Sequence, residues 1–323
     1  MKTYNWGVLG CGIIANELAL AMKNHNKKLY GVANRTLSKA KDFAKKYEIE
    51  NVYDSFEDMI NDENIDIIYI TTPHNTHINY IEKALSKGKN VLCEKSITLN
   101  SEELNKGMAI AKEKGLVLAE AMTEYHMPIY KELKKRIAEE KLGEVNLITL
   151  NFGSYKDYDM KNRFFNRNLA GGSMLDIGVY AISLARMFMK SKPNKVSSMV
   201  KYCETGVDEQ ASILLMNEEQ QMATIMLSLH SKQPKRAMIS CANGYIEVME
   251  YPRGMKAVIT YTDGEVEEIE CGDTKNALWY EVEDMEETLT KGNDLMNREM
   301  TKDVMDIMTD IRKSWGMTYP EEE

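Results

Sequence analysis

Residues 6–15 of the chain read Trp6-Gly7-Val8-Leu9-Gly10-Cys11-Gly12-Ile13-Ile14-Ala15. The apolar start of this stretch predicts a buried strand, and residues 14–23 carry apolar side chains at helical spacing. The Gly-x-Gly-x-x-Ala element between them stands where such a turn binds the pyrophosphate of a dinucleotide, at the start of a βαβ unit. Gly10 permits the tight turn, Gly12 lets the backbone approach the pyrophosphate, and Ala15 allows close helix–strand packing. The alternative, a glycine-rich turn that binds nothing, is disfavoured by this context.

The alternation of short apolar runs with helix-like stretches continues to about residue 123. Further strands are predicted at 29–33, 65–71, 91–93 and 117–119. Helices are predicted at 38–47, 56–60, 76–87 and 101–114, the last capped by Asn100 with support from Glu103. Strands that alternate with helices at this rhythm specify a parallel, doubly wound sheet. Residues 1–123 are therefore predicted to form a Rossmann domain.

The pattern changes in residues 124–323, which are predicted to form a second domain. Helices are expected at 129–139, 175–189, 280–290 and 302–313, and a strand at 145–152. From 196 to 270 one strand follows another, with a strong hairpin signal at Asp263-Gly264. Alternation of apolar and polar residues predicts an open, mainly antiparallel sheet with helices on one face and the other face free for a partner. The predicted fold is thus α/β followed by α+β, and the open face predicts a two-fold homodimer.

The composition excludes several function classes. The 323 residues include 41 Lys and Arg against 50 Asp and Glu, a net charge of −9, which disfavours binding to nucleic acid or anionic lipid. The five cysteines form no Cys-x-x-Cys pair, so neither a disulfide framework nor a zinc site is indicated. No secretory leader and no apolar run of membrane-spanning length is recognised. A cytoplasmic protein with reduced thiols is the expectation.

The end of the second strand bears on the choice between the two nicotinamide cofactors. An acid at this position would bind the ribose 2′-hydroxyl of NAD, but the chain has Asn34-Arg35-Thr36. No carboxylate is present to repel a 2′-phosphate, and Arg35 could pair with one. NADP is therefore favoured, with NAD still possible and a solvated role for Arg35 as the alternative.

Two further segments follow strands at the carboxyl edge of the predicted sheet, where ligands bind in such folds. One is Thr72-Pro73-His74, with His77 nearby; a metal role for the two histidines lacks a third ligand, so no metal is predicted. The other contains Lys95, for which an ordinary surface lysine is the alternative. The residues predicted to contact the dinucleotide are Gly10, Gly12, Ile13, Ile14, Asn34, Arg35, Thr72, Pro73, His74, His77, Glu94 and Lys95.

A third motif, Gly171-Gly172-Ser173-Met174-Leu175-Asp176-Ile177-Gly178-Val179-Tyr180, combines a flexible turn with a helix start. Asp176 and Tyr180 are four residues apart and would share one face of a helix. A carboxylate and a phenol that converge there can orient a hydroxyl group and exchange its proton. The alternative is a carboxylate at a helix N-terminus beside a half-buried tyrosine.

Together these motifs resemble the Gfo/Idh/MocA oxidoreductase family, and the resemblance extends over nearly the whole chain. The motifs that carry it are Gly10-x-Gly12-x-x-Ala15, Thr72-Pro73-His74-x-x-His77, Gly88-Lys89-x-Val91-Leu92-x-Glu94-Lys95 and Gly171-Gly172-x-x-Leu175-Asp176-Ile177-Gly178-x-Tyr180. Tyrosine rather than histidine at the last position is similar to the dimeric dihydrodiol dehydrogenase branch. The resemblance implies dimerisation through the open sheet and NAD(P) chemistry on a sugar, polyol or diol. It also implies Lys95 as catalytic lysine, Asp176 as substrate-side aspartate and Tyr180 as proton donor.

The chain departs from the family pattern at two places. Ser96 replaces the proline of the family's Glu-Lys-Pro, which helps to place the lysine. Met122-Thr123-Glu124-Tyr125 stands where the dihydrodiol branch has an aromatic–x–Arg–Phe stretch, so the substrate inference does not carry over.

The predicted reaction is reversible hydride transfer between a secondary alcohol and the nicotinamide. Tyr180 would act as general acid/base with its phenolate favoured by Lys95, and the loop at 153–168 would help to bind the substrate. Two alternatives stay open: a non-catalytic NADP-sensing regulator, and an NAD-dependent elimination enzyme on the same scaffold.

Overall fold

The computed structural model describes residues 3–139 and 141–323, and these form two compact units. The first unit contains the chain up to Met122 together with Lys275–Arg298. The second unit contains Thr123–Thr274 and Glu299–Glu323. The chain therefore passes between the units three times, and the first unit is not one continuous segment.

The first unit has a parallel sheet of six strands in the order β3-β2-β1-β4-β5-β6, the order of a doubly wound dinucleotide-binding fold. The strands are β1 (Trp6–Leu9), β2 (Gly31–Ala33), β3 (Asn51–Tyr53), β4 (Ile67–Ile70), β5 (Asn90–Glu94) and β6 (Leu118–Ala121). Strand β3 is not predicted from the sequence because its three residues are half-buried and show no apolar run.

The second unit has a sheet of eight strands in the order β14-β13-β12-β11-β7-β10-β9-β8. The strands are β7 (Val145–Gly153), β8 (Lys195–Tyr202), β9 (Asp208–Met216), β10 (Met222–Ser228), β11 (Arg236–Cys241), β12 (Gly244–Met249), β13 (Lys256–Tyr261) and β14 (Val266–Glu270). All neighbours are antiparallel except β7 and β10, which run parallel. The predicted open, mainly antiparallel sheet is confirmed.

The helices complete both units. They are α1 (Ile13–Asn24), α2 (Leu37–Tyr47), α3 (Phe56–Asn61), α4 (His77–Ser86), α5 (Ser101–Lys114), α6 (Thr123–His126), α7 (Pro128–Ala138), α8 (Val179–Phe188), α9 (Ala277–Lys291) and α10 (Arg298–Ser314). A π-helical turn, Met174–Gly178, runs directly into α8. The predicted cap of α5 is present: Asn100 Oδ1 accepts a hydrogen bond from the Glu103 amide at 2.9 Å, and the Glu103 carboxylate accepts one from the Leu99 amide.

Helix α9 belongs to the first unit although it lies far along the chain. Its Leu278, Val282 and Met285 are buried in the core of that unit. Trp6 Nε1 donates a hydrogen bond to Glu286 Oε1 at 2.7 Å. The helix itself was expected from its periodicity, but within residues 124–323, the range predicted as the second domain.

The two faces of the second sheet differ as the alternation predicts. Ala223, Ile225 and Leu227 of β10 are buried, whereas Met222 and Met226 on the other face are exposed. Large apolar side chains on that other face, here called the open face, are Leu147, Met199, Leu214, Met222, Met226, Tyr245, Met249 and Val266. Met199 is the most exposed of them at 79 %. Such an apolar surface is typical of an interaction site.

Among residues 3–139 and 141–323, no helix combines the length and apolar character needed to cross a bilayer.

Candidate functional site

The glycine-rich turn between β1 and α1 is built for close approach of a ligand. Gly10 has a φ of +104°, and a Cβ there would lie 2.4 Å from Thr71 Oγ1, so no side chain is accommodated. The Gly10 amide donates to the Ala33 carbonyl at 2.9 Å, which fixes the turn against β2. A Cβ on Gly12, in contrast, would meet no atom of residues 3–139 or 141–323 within 4 Å. Gly12 therefore faces open space, as a residue beside a bound phosphate must.

The N-terminus of helix α1 lies at this turn, and no side chain of its first turn or cap offsets the positive end of the helix dipole. No acidic residue lies in its first turn, and Gly12 offers no side-chain cap. Ile13 is 84 % exposed, Ile14 is half-buried, and Ala15 is fully buried. Because the first amides of a helix lack intrahelical partners and carry the positive end of the dipole, this terminus suits an anion. The residues present therefore fit a dinucleotide pyrophosphate.

The end of β2 carries positive and neutral groups. Asn34 Nδ2 donates to the Thr36 carbonyl at 3.0 Å, and Arg35 is exposed. Lys39, in the first turn of α2, lies close enough to Cys11 that its charge lowers the pKa of that thiol. Burial has the larger, opposite effect and raises the Cys11 pKa to about 11, so the thiol is neutral. The sequence alone does not predict a role for Lys39 here, since only the fold brings α2 back to the glycine-rich turn.

Two histidines connect the end of β4 with the segment that follows β5. His74 Nε2 lies 3.1 Å from the Lys95 carbonyl. The ring nitrogens of His77 lie 2.7 Å and 3.0 Å from the carbonyls of Thr72 and Ser96. Burial lowers the pKa of His77, against the opposing effect of its hydrogen bonds to the backbone. The two histidines thus contact successive carbonyls, those of Lys95 and Ser96, directly after the Lys95 side chain.

The segment around Lys95 is fixed from other directions as well. Tyr69 donates a hydrogen bond from its hydroxyl to Glu94 Oε1. The amide of Ile97 donates to the buried Glu120 carboxylate at 3.0 Å. The Lys95–Ser96 peptide is cis, and Lys95 itself is half-buried. A lysine in this setting differs from a mobile surface lysine, because its backbone is anchored at several points.

No group of three or more His, Cys, Asp or Glu side chains suited to a metal ion occurs within the described ranges of the chain.

In the second unit, Asp176 and Tyr180 lie on one continuous helical run. Asp176 is buried and Tyr180 half-buried, and the Arg163 guanidinium lies 3.4 Å from Asp176 Oδ1. The run begins with the π-helical turn, in which the Val179 amide bonds to the Met174 carbonyl five residues back. The expected common face of Asp176 and Tyr180 assumes regular α-helical spacing, so their joint action stays a prediction. π-helical turns of this kind occur frequently at functional sites.

Aromatic and cationic side chains surround this helical run. The Phe152 and Tyr180 rings lie 6.0 Å apart, and Lys235 Nζ lies 5.3 Å from the centre of the Phe152 ring. From the loop at 154–168, Arg163 and Lys156 both lie over the Phe164 ring, at 4.1 and 4.4 Å. The sequence does not predict the contact between Arg163 and Asp176, since spacing gives no sign of it. The predicted substrate loop does supply a partner to a predicted substrate residue.

The predicted site residues thus fall into two groups. The glycine-rich turn, Asn34 and Arg35, the two histidines and Lys95 belong to the first unit. Asp176 and Tyr180 belong to the second unit.

Two family models match the chain. Residues 4–122 match the oxidoreductase family with an NAD-binding Rossmann fold, and residues 130–247 match the GFO/IDH/MocA C-terminal domain. Together the two models cover well over half of the 323 residues.

Curated relatives match over nearly their full length. The trans-1,2-dihydrobenzene-1,2-diol dehydrogenase of Sus scrofa is 29 % identical over 343 residues, with 98 % of each chain covered. The human protein of the same name is 28 % identical over 333 residues, again with 98 % of each chain covered. Among solved structures, an aldose–aldose oxidoreductase from Caulobacter crescentus, complexed with glycerol, superposes with a TM-score of 0.88 at 22 % identity, covering 98 % of this chain and 99 % of that one. The last similarity concerns the fold alone.

Proposed function

The chain belongs to the Gfo/Idh/MocA oxidoreductase family, and from this premise we propose that it interconverts a secondary alcohol and a carbonyl group with NADP as redox partner. The substrate class is a sugar, polyol or dihydrodiol-like molecule, in keeping with the named activities of the relatives. The observation that carries the proposal is the helical run of the second unit, which places a carboxylate held by arginine and a phenol four residues apart.

The first unit supplies the residues that hold the dinucleotide. Gly10, Gly12 and the first amides of α1 receive the pyrophosphate, while Arg35 and Lys39 receive a 2′-phosphate. The nicotinamide, when bound, accepts or supplies the hydride. His74 and His77 hold the backbone of the Lys95 segment, so that the lysine is presented in one arrangement.

The second unit supplies the groups that act on the substrate. Asp176, oriented by Arg163, accepts a hydrogen bond from a substrate hydroxyl and fixes its position. Tyr180 gives a proton to the carbonyl oxygen in reduction and takes it back in oxidation. Lys95 assists this proton transfer by favouring the phenolate form of Tyr180. The open face is proposed to join two copies of the chain.

The proposal is tested by replacing the two groups of the proton transfer. Tyr180→Phe and Lys95→Met should each lower kcat by roughly 10²–10⁴, the usual range for general acid–base catalysis, with little change in NADP affinity. The double variant should lose much less than the product of the two, because both changes remove the same stabilisation. Steady-state kinetics on a panel of polyols and sugars, with calorimetry for NADP, provide the measurements.

Matched controls are available in the first unit. Tyr80, which packs against Phe56, and the exposed Lys87 lie outside the proposed site, so Tyr80→Phe and Lys87→Met should retain full activity. Near-full turnover by Tyr180→Phe on a verified substrate would refute the catalytic assignment. If the native chain binds NADP but oxidises no alcohol, the alternative of a non-catalytic NADP-sensing regulator would be favoured. Cofactor turnover without net redox change would favour elimination chemistry.

A further inference from the structure

A buried carboxylate lies beneath the start of the helical run that carries Asp176 and Tyr180. Asp208, the first residue of β9, is fully buried. Its Oδ2 accepts hydrogen bonds from the Ser173 hydroxyl at 2.7 Å and from the Met174 amide at 2.6 Å. A carboxylate that accepts from first-turn groups of a helix is a charge-assisted cap, supplied here from 34 residues along the chain rather than from the helix itself.

The turn before the helix is shaped around the other oxygen of this carboxylate. Gly172 has a φ of +120°, and a Cβ there would lie 2.1 Å from Asp208 Oδ1. Oδ1 is buried, and within the described part of the chain it has no hydrogen-bond partner. Gly171 is equally confined, since its Cβ would lie 2.7 Å from the Arg163 carbonyl. The glycine pair, expected from the sequence to be a flexible turn, is a buried and closely packed one.

The C-terminal segment closes the same turn from a second direction. Tyr319, fully buried, donates from its hydroxyl to the Gly171 carbonyl at 2.7 Å. Arg312 of α10 lies 4.7 Å from the centre of the Tyr319 ring and forms two hydrogen bonds with the Glu322 carboxylate, at 2.8 and 2.9 Å. Tyr319 therefore holds Gly171, and Asp208 holds Ser173 and Met174, within one turn.

We propose that Asp208 is a positioning residue, which acts through Ser173 and Met174 to set where the helical run presents Asp176 and Tyr180. Because Asp176 is only two residues beyond Met174, a shift of the helix start moves the carboxylate directly. The inference rests on the proposed function in so far as Asp176 and Tyr180 serve catalysis. The positioning itself depends only on the hydrogen bonds around the turn.

Because Asp208 can ionise, its positioning of the helical run should depend on pH. Burial raises the Asp208 pKa to about 6, against the opposing effects of the hydrogen bonds from Ser173 and Met174 and of the Arg312 charge. The charged and titratable groups around it are Arg312 from α10, and Tyr319 and Glu322 from the C-terminal segment, with Arg167 beside Tyr319. Protonation as the pH falls through 6 replaces a charge-assisted cap by a weaker neutral one.

Protonation of Asp208 should affect stability and activity in opposite directions. Since the folded pKa lies above the ordinary value of 3.8, protonation of Asp208 favours the folded state. The contribution of Asp208 to stability is therefore largest below pH 4 and is lost as the pH rises through 6. If Asp208 only supported the fold, activity would not fall as the pH drops below 6, because its contribution to stability grows there. A loss of activity between pH 6 and pH 4 therefore indicates positioning.

The test uses the full chain and the variant Asp208→Asn, which keeps the shape and one acceptor oxygen. At pH 8, kcat should fall about tenfold, as expected when a charge-assisted hydrogen bond becomes neutral, and NADP affinity should not change. The acid limb of the native kcat profile near pH 6 should be absent from the variant. Amide exchange at residues 173–178 should be about tenfold faster in the variant at pH 8.

The neighbouring Glu209→Gln is the matched control, because Glu209 is also buried but its carboxylate pairs with Lys201 of β8, whereas Asp208 Oδ2 accepts hydrogen bonds from the turn. It should alter neither the exchange of 173–178 nor the acid limb. If Asp208→Asn does not fold, Ser173→Ala removes one of the two hydrogen bonds and should show the same changes in smaller measure. Unchanged exchange and an unchanged pH profile would overturn the inference. Faster exchange in a chain without any turnover would support it and would count against the proposed function instead.

Discussion

Arg35 is the residue that bears most directly on the choice of nicotinamide cofactor. It lies exposed at the end of β2, with Asn34 beside it and Lys39 in the following helical turn. Arg35→Ala should weaken NADP binding by about 1.5–3 kcal/mol, the range for a charge-assisted hydrogen bond, and leave NAD binding unchanged. Isothermal calorimetry with both cofactors measures the difference.

The exposed Lys41 of α2 provides the control for a general loss of positive charge. Lys41→Ala should shift the affinity for NADP by no more than a few tenths of a kcal/mol. Equal affinities for NAD and NADP, before and after the change at Arg35, would contradict the assignment.

Single residues were predictable from the sequence where a motif fixed their surroundings. Gly10 and Gly12 occupy the turn that their spacing predicts, and Asn100 caps α5. Arg163 and Asp208 were not predictable, because their partners Asp176 and Met174 become neighbours only through the fold.

At the scale of an element, the turn before the helical run gives a sharp stability prediction. Gly172→Ala would place a Cβ against Asp208 Oδ1 and a side chain in a left-handed conformation. The free energy of unfolding should fall by roughly 2–5 kcal/mol, the sum of backbone strain and overpacking. Urea denaturation monitored by circular dichroism measures this change.

Gly206, in the same unit, separates the two effects. Its φ is +83°, but a Cβ there would meet none of the described atoms of the chain within 4 Å. Gly206→Ala should therefore show only the conformational part, about 1 kcal/mol. If both variants lost the same free energy of unfolding, the contact between the new Cβ and Asp208 Oδ1 would contribute nothing to the loss at Gly172.

Elements were predictable wherever apolar periodicity was strong. The ends of α2 and α5 agree with their predicted positions to within one residue. Strand β3 and helix α6 were missed, since three and four residues are too few to show a period. The π-helical turn was missed for a different reason: its residues have the same apolar pattern as an ordinary helix start.

At the scale of the whole molecule, the open face leads to a prediction about assembly. We expect two copies to pair through this face by a two-fold axis, so each substitution acts twice in the interface. Met226→Glu together with Leu214→Lys should convert the dimer to a monomer, because both side chains lie on the open face of the adjacent strands β10 and β9 and are 48 % exposed. Sedimentation velocity at micromolar concentration measures the change.

Leu20, 51 % exposed on α1 of the first unit, supplies the control for the cost of surface charge. Leu20→Glu should leave the sedimentation coefficient unchanged. A native chain that sediments as a monomer would refute the pairing.

The sequence did not reveal which parts of the chain share a core. Strand–helix alternation predicted the parallel sheet, and strand repetition predicted the second sheet. The apolar stripe of α9 shows only that one side of the helix is buried. It does not show whether that side packs on the sheet that precedes it in sequence or on the N-terminal sheet, where it lies.

The placement of α9 also has a consequence for synthesis of the chain. Leu278, Val282, Met285 and Met296 complete a core whose other members end at Ala121. Because ribosomes add about 5–20 residues per second, the interval between Met122 and Met296 lasts roughly 10–35 s. During that interval the nascent first unit exposes the apolar surface that α9 will cover, including the indole of Trp6. The N-terminal sheet is therefore made first, and its core is completed only after all the strands of the second unit have been synthesised.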